Sequence, residues 1–262
     1  MTDRQAPYLR VHYHVEGRGP DVLLIHGWSS SRRMWQHLTP ALARTHRCWS
    51  LDLPGFGDSD KPGDDWYSIP KFTASVRHFM ETMGLDQVAV VGHSMGGMIA
   101  LDLASASADR VTRLVVINPV VTGRAYLRAF ARLRPRASLL QRTHELSRRL
   151  IHPVVRHPLS TTLNNGVRYL GRRAEDFTRA TPESLLGSGR AIADFDTRPT
   201  LTRITAPTLV ILGKFDAQVP NSEGHLVAAQ VANARLLVYT AGHAITDDRP
   251  GEMVRVIRDF IG

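Results

Sequence analysis

The stretch Val88-Ala89-Val90-Val91-Gly92-His93-Ser94-Met95-Gly96-Gly97 decides the reading of this chain. Four apolar residues run without a polar interruption, as in a strand buried on both faces of a parallel sheet. G-x-S-x-G follows at 92–96, and a helix-compatible run occupies about 95–107. The pattern alone is weak, with about 0.1 chance matches expected in a chain of this composition. The strand before it and the helix after it carry the weight. In that context the serine sits on a sharp strand-to-helix turn, and glycine two positions to either side removes side chains that would collide with neighbouring backbone. The helix N-terminus also favours negative charge nearby. Ser94 is therefore the candidate nucleophile. The same residues also fit a serine that caps a helix after a glycine turn.

Outward from this turn, Val22–Ile25, Arg47–Leu53 and Leu114–Ile117 read as further buried strands. Helix-length stretches at about 33–44 and 70–83 lie between them. The βαβ rhythm predicts an α/β fold, a mostly parallel twisted sheet with helices on both faces. It stops at Asn118-Pro119 and resumes with a strand at Thr208–Leu212, a helix near 221–231, a strand at Arg235–Tyr239 and a helix near 250–261. The expected organisation is a core of 1–121 and 204–262, interrupted by a helical cap insertion at 122–203. Tyr126, Phe130 and Leu133 recur at helical spacing within the insertion, and Arg124, Arg128 and Arg132 form a stripe on another face.

A serine hydroxyl needs a base to accept its proton. Of twelve histidines, His243 stands on a loop just after the strand Arg235–Tyr239, from which an imidazole reaches back over the strand ends. His93 adjoins Ser94 on the turn, where neighbouring side chains point apart, and structural support is expected of it. The base needs a carboxylate partner. Asp216 follows the strand Thr208–Leu212 and gives the order Ser, Asp, His along the chain. It also fits a helix-capping or solvated loop aspartate. Asp247 and Asp248 are expected to support the last helix. The tetrahedral intermediate of acyl transfer needs backbone N–H donors, for which Trp28 in His26-Gly27-Trp28 and Met95 are the natural pair. Trp28, Tyr126 and Phe130 are candidates for the substrate pocket. No metal or organic cofactor is needed for this chemistry.

The chain has 262 residues, 43% hydrophobic and 22% charged, an ordinary globular composition. No run of about 18 apolar residues suits a membrane span. The polar stretch Met1–Arg10 lacks a signal-peptide core, so a cytoplasmic location is expected. The single cysteine, Cys48, reads as a small core residue. Net charge is +9, and its distribution is uneven. Residues 122–203 hold 16 Lys and Arg against 6 Asp and Glu, while the remainder is nearly balanced. No nucleic-acid-binding motif accompanies this basicity. It fits a solubilising face, an acidic protein partner such as an acyl carrier protein, an anionic lipid surface, or an anionic small substrate.

Taken together, His26-Gly27-Trp28 with Trp35, Asp52-Leu53-Pro54-Gly55-Phe56-Gly57-Asp58-Ser59, Gly92–Gly97, Gly213 to Pro220 and Gly242-His243 resemble the α/β-hydrolase superfamily across the whole chain. The resemblance implies a Ser94–His243–Asp216 triad and cleavage of an ester-like bond. Members of the family sometimes carry the acid after the sixth strand. That position here is about Asn118, which favours Asp216. Asp52 and Asp58 look like family scaffolding. Serine at the nucleophile position is unlike the aspartate of epoxide hydrolases and haloalkane dehalogenases. It leaves carboxylesterases and lipases, carbon–carbon-bond hydrolases, perhydrolases and non-catalytic ligand-binding homologues. His26-Gly27-Trp28 and Leu53–Gly57 are also similar to the pimeloyl-carrier-protein methyl esterases, which dock an acidic carrier protein on an arginine-bearing cap.

Overall fold

The computed structural model describes residues 9–124 and 165–262, with residues 165–170 described by backbone. Its centre is a seven-stranded sheet of β1 (Tyr13–Glu16), β2 (Asp21–Ile25), β3 (Arg47–Leu51), β4 (Val88–His93), β5 (Val111–Ile117), β6 (Thr208–Gly213) and β7 (Ala234–Tyr239). The spatial order is β1-β3-β2-β4-β5-β6-β7. Only the β1–β3 pair is antiparallel.

Strand periodicity divides the apolar residues between two faces. Leu23, Ile25, Val90, Val116 and Val210 join one core with residues of α2 (Ile69–Thr82) and α3 (Met95–Ala106). Val22, Leu24, Val91, Val115 and Ile211 join the other with Trp35 and Met253. Both faces are covered, which is why the central strands read as continuous apolar runs. Cys48 lies fully buried in the second core, and burial pushes its thiol pKa up to about 12.

The strand β1 escapes the apolar-run reading because it is a short edge strand with an exposed middle. The single helix expected over 33–44 is instead a 3-10 turn at Arg32–Trp35 followed by the short helix α1 (Thr39–Leu42). Pro40 has no N–H to donate back into a preceding turn, so a continuous helix through it loses a bond and gains a clash. The Ser31 hydroxyl accepts from the Arg33 N–H and caps the 3-10 turn.

Between β5 and β6 the described residues include α4 (Asn165–Arg179) and α5 (Pro182–Ala193), joined to β6 by a 3-10 segment. Thr181 caps α5 by accepting from the Ser184 N–H. Three more helices, α6 (Asn221–Gln230), α7 (Ile245–Asp248) and α8 (Pro250–Ile261), complete the described chain. No helix among the described residues is long and apolar enough to cross a membrane.

Candidate active site

The β4–α3 connection is as tight as its glycines suggest. A β-carbon on Gly92 would lie 2.3 Å from the Gly96 carbonyl oxygen, and one on Gly96 would lie 2.2 Å from that of Ile25. Only glycine lets α3 start this close to the ends of β4 and β2. Ser94 pays with an unusual backbone, φ 55° and ψ −116°, a conformation that costs on the order of 1–3 kcal/mol away from glycine. Three backbone hydrogen bonds hold it there. Its N–H donates to Ile117 (2.9 Å), and its carbonyl accepts from Met98 (3.1 Å) and Val120 (3.3 Å). The Ser94 side chain opens into a pocket that Gly27, Trp28, Arg173, Gln218 and His243 also line.

His243 reaches that pocket from the loop after β7. Its Nδ1 lies 2.6 Å from Asp216 Oδ2, and the Asp216 carboxylate is completely shielded from solvent. Asp216 Oδ1 accepts from the Gln218 and Val219 N–H groups at 2.8 and 2.9 Å. The carboxylate is thus fixed by its own loop and presents its second oxygen to the imidazole. An Nδ1–H donated to a carboxylate leaves Nε2 with a lone pair in the neutral ring, the form a general base requires.

The backbone of His243 is clamped as well. His93 Nε2–H donates to the His243 carbonyl at 2.9 Å, and Asn118 Nδ2 donates to the same oxygen at 3.1 Å. Asn118 also reaches the Gly242 carbonyl at 3.3 Å, and its Oδ1 accepts from the Gly213 N–H at 2.8 Å. One amide therefore ties the end of β5 to the end of β6 and to the loop after β7. His93 is held well below the usual imidazole range, first by burial and then by the neighbouring His243. It is a neutral structural ring, as its place on the turn suggested.

His26 secures the other wall. Its Nδ1–H donates to the Gly27 carbonyl (2.8 Å), and its Nε2 accepts from the Leu53 N–H (2.9 Å). Burial lowers its pKa. A β-carbon on Gly27 would lie 3.1 Å from Ser94 Cβ, so this loop passes directly against the serine. The indole of Trp28 donates to the Leu185 carbonyl at 3.1 Å and joins the loop to α5. Met95 opens α3 and is fully buried.

Asp52 and Asp58 sit apart from the pocket and hold Arg32, whose guanidinium donates to both. His12 Nδ1 approaches Asp52 at 3.8 Å, so these three side chains cluster around the arginine's anchor. The expectation for Asp247 needs correction. Its carboxylate pairs with Arg172 of α4 at 2.7 Å, and it lines the pocket. Asp248 accepts from the Gly242 N–H at 3.3 Å. Sequence reasoning missed Arg172 and Arg173 as pocket residues. Both belong to α4, inside the insertion expected to be helical, where arginines on a basic helix look like solvated charge. Tyr126 and Phe130 lie outside the described residues.

Residues 20–250 match the model of the alpha/beta hydrolase fold family. The chain belongs to that family. Among curated relatives of this α/β-hydrolase is the pimeloyl-[acyl-carrier protein] methyl ester esterase of Aeromonas hydrophila, 27% identical, with 94% of this chain and 97% of that protein covered. The protein of the same name from Photobacterium profundum is 29% identical, with 95% and 97% covered. Among solved structures, the enol-lactonase from Burkholderia xenovorans LB400 superposes with a TM-score of 0.80 at 24% identity, covering 97% of this chain and 96% of that one. That likeness concerns the fold alone. Family and relatives together make the chain a hydrolase.

Proposed function

We propose that this α/β-hydrolase cleaves carboxylic esters through an acyl-enzyme, with Ser94 as nucleophile, His243 as general base and then acid, and Asp216 as the group that orients and stabilises the imidazolium. The observation that carries the reading is the 2.6 Å contact of His243 Nδ1 with Asp216, at a histidine that shares a pocket with a serine on a strained turn. His243 Nε2 takes the Ser94 proton as the oxygen attacks the ester carbonyl. The Trp28 and Met95 N–H groups receive the oxyanion. His243 then returns the proton to the leaving alkoxide. It takes another from water as hydroxide attacks the acyl-enzyme, and that proton finally restores the Ser94 hydroxyl.

Residues 122–203 form the cap of this enzyme in our reading, and they shape the substrate end of the pocket. The names of the relatives, together with the basic insertion, support a methyl ester on an acyl chain carried by an acidic carrier protein as the substrate. Purified protein is expected to release p-nitrophenol from short acyl esters, and Ser94→Ala to lose at least about a thousandfold in kcat. Turnover of a carrier-linked methyl ester is expected to fall as salt rises, because opposite charges on exposed surfaces are screened. A salt-independent rate removes the carrier-protein part of the reading and leaves the esterase part standing.

A further inference from the structure

The helix α4 brings two consecutive arginines to the wall of the pocket that holds Ser94 and His243. They are used differently. Arg172 is buried, and its charge is met by Asp247 at 2.7 Å. Arg173 meets a neutral group, its NH2 donating to the Ser29 hydroxyl at 3.1 Å. Among the described residues no carboxylate lies within ion-pair distance of Arg173. Its neighbours in this part of the chain contrast with it. Arg179 pairs with Asp58 and Glu175, and Arg190 pairs with Asp64.

The placement of Arg173 is specific. Ser29 is buried and adopts φ 53°, a left-handed conformation rare for serine, while its hydroxyl serves the guanidinium. The positive charge is close enough to His26 and His93 to disfavour their protonation, in addition to the larger effect of their burial. The carboxylate that lines the pocket, Asp247, is already engaged by Arg172, and Asp216 behind His243 is engaged by that histidine. A guanidinium has five N–H donors in a planar fork that matches a carboxylate or phosphate. Partly withdrawn from water beside a reacting serine, such a group selects for an anion.

We propose that Arg173 is a specificity residue that pairs with an anionic group, carboxylate or phosphate, borne by the ester substrate. The proposal rests on the esterase reading above and names the class of ester that the site prefers. The anion belongs either to the acyl chain or to the alcohol, and two pairs of esters separate the cases. Mono-p-nitrophenyl adipate against p-nitrophenyl hexanoate places it on the acyl side. 2-Acetoxyethyl phosphate against 2-methoxyethyl acetate places it on the alcohol side.

The expected result is a preference of at least about tenfold in kcat/KM for the charged member of one pair, diminished by added salt. Arg173→Gln is expected to reduce that ratio at least about tenfold, chiefly through KM, and Arg173→Lys to recover part of it. A thermal melt of each variant checks folding, and the ratio within one variant is insensitive to the amount of active protein. Hydrolysis of the neutral esters with no charged preference, or with a ratio that Arg173→Gln leaves unchanged, overturns the proposal. Wild-type protein that cleaves none of the four esters removes the esterase reading, and the proposal with it.

Discussion

At Asn118 the chain adopts φ 44° and its side-chain amide bonds three backbone groups, one at the end of β6 and two on the loop after β7. Asn118→Ala removes the acceptor of the Gly213 N–H and the donor to the Gly242 and His243 carbonyls. Leaving such buried groups unpaired costs about 1–3 kcal/mol, which denaturant unfolding measures. A lower kcat is expected as well, because the His243 loop loses one of its two clamps. His93, the other clamp, sets a pH dependence. Its folded pKa lies below the unfolded value of 6.5, so between those two values the unfolded chain binds a proton that the native one refuses. Stability is then fully present above pH 6.5 and declines as pH falls below it, by up to about 1.4 kcal/mol per pH unit. A His93→Asn variant is expected to show a shallower fall of Tm between pH 7.5 and 5.5. Equal slopes would contradict the assignment. Residues on strand ends were legible at this scale because they follow strong strand signals. Arg173 was not, since nothing local separates a helical arginine that faces a pocket from one that faces water.

The strand-to-helix turn is where the constraint on single elements is sharpest. Gly96→Ala would push a β-carbon to 2.2 Å from the Ile25 carbonyl oxygen and 2.5 Å from that of His26. Both are backbone atoms of the sheet and its outgoing loop, so relief requires α3 to shift. A loss of about 3 kcal/mol is expected, together with loss of the Ser94 geometry. Chemical unfolding and ester turnover report the two effects separately, and a variant that is fully stable and active would contradict this packing. The strands β2, β4 and β6 were legible as elements because both faces of the sheet are covered and these strands are apolar over most of their length, while β3 and β5 carry the signal only in their apolar stretches. Edge strand β1 carries no such run. Continuous helical periodicity over 33–44 misled because it does not register the missing N–H of Pro40.

Across the whole molecule, charge organises how the helices between β5 and β6 meet the sheet. Arg33, on the loop after β2, pairs with Glu175 at 2.8 Å and with Asp176 at 2.6 Å on α4, and Ser31 donates to the same Asp176 oxygen. Arg172, Arg179 and Arg190 make the reciprocal contacts to Asp247, Asp58 and Asp64 of the core. Part of the basicity that distinguishes residues 122–203 is therefore docking charge, a use the sequence could not reveal because the acidic partners are scattered from 58 to 247. Asp176→Ala would leave the buried Ser31 hydroxyl without its acceptor and Arg33 with Glu175 as its remaining carboxylate. Because Arg33 is half-buried and keeps Glu175, the loss is expected to be smaller than for a fully buried pair, about 1–2 kcal/mol, and a lowered Tm is the expected reading. An unchanged Tm would mean that α4 is held by its other contacts.

The measurement that bears most directly on the whole account is covalent labelling with a fluorophosphonate, followed by peptide mass analysis of wild type, Ser94→Ala and His243→Ala. Modification at Ser94 alone is expected in the wild type, with none in Ser94→Ala and strongly slowed labelling in His243→Ala, in parallel with their loss of ester turnover. Labelling at another residue, or undiminished turnover in Ser94→Ala, would contradict it.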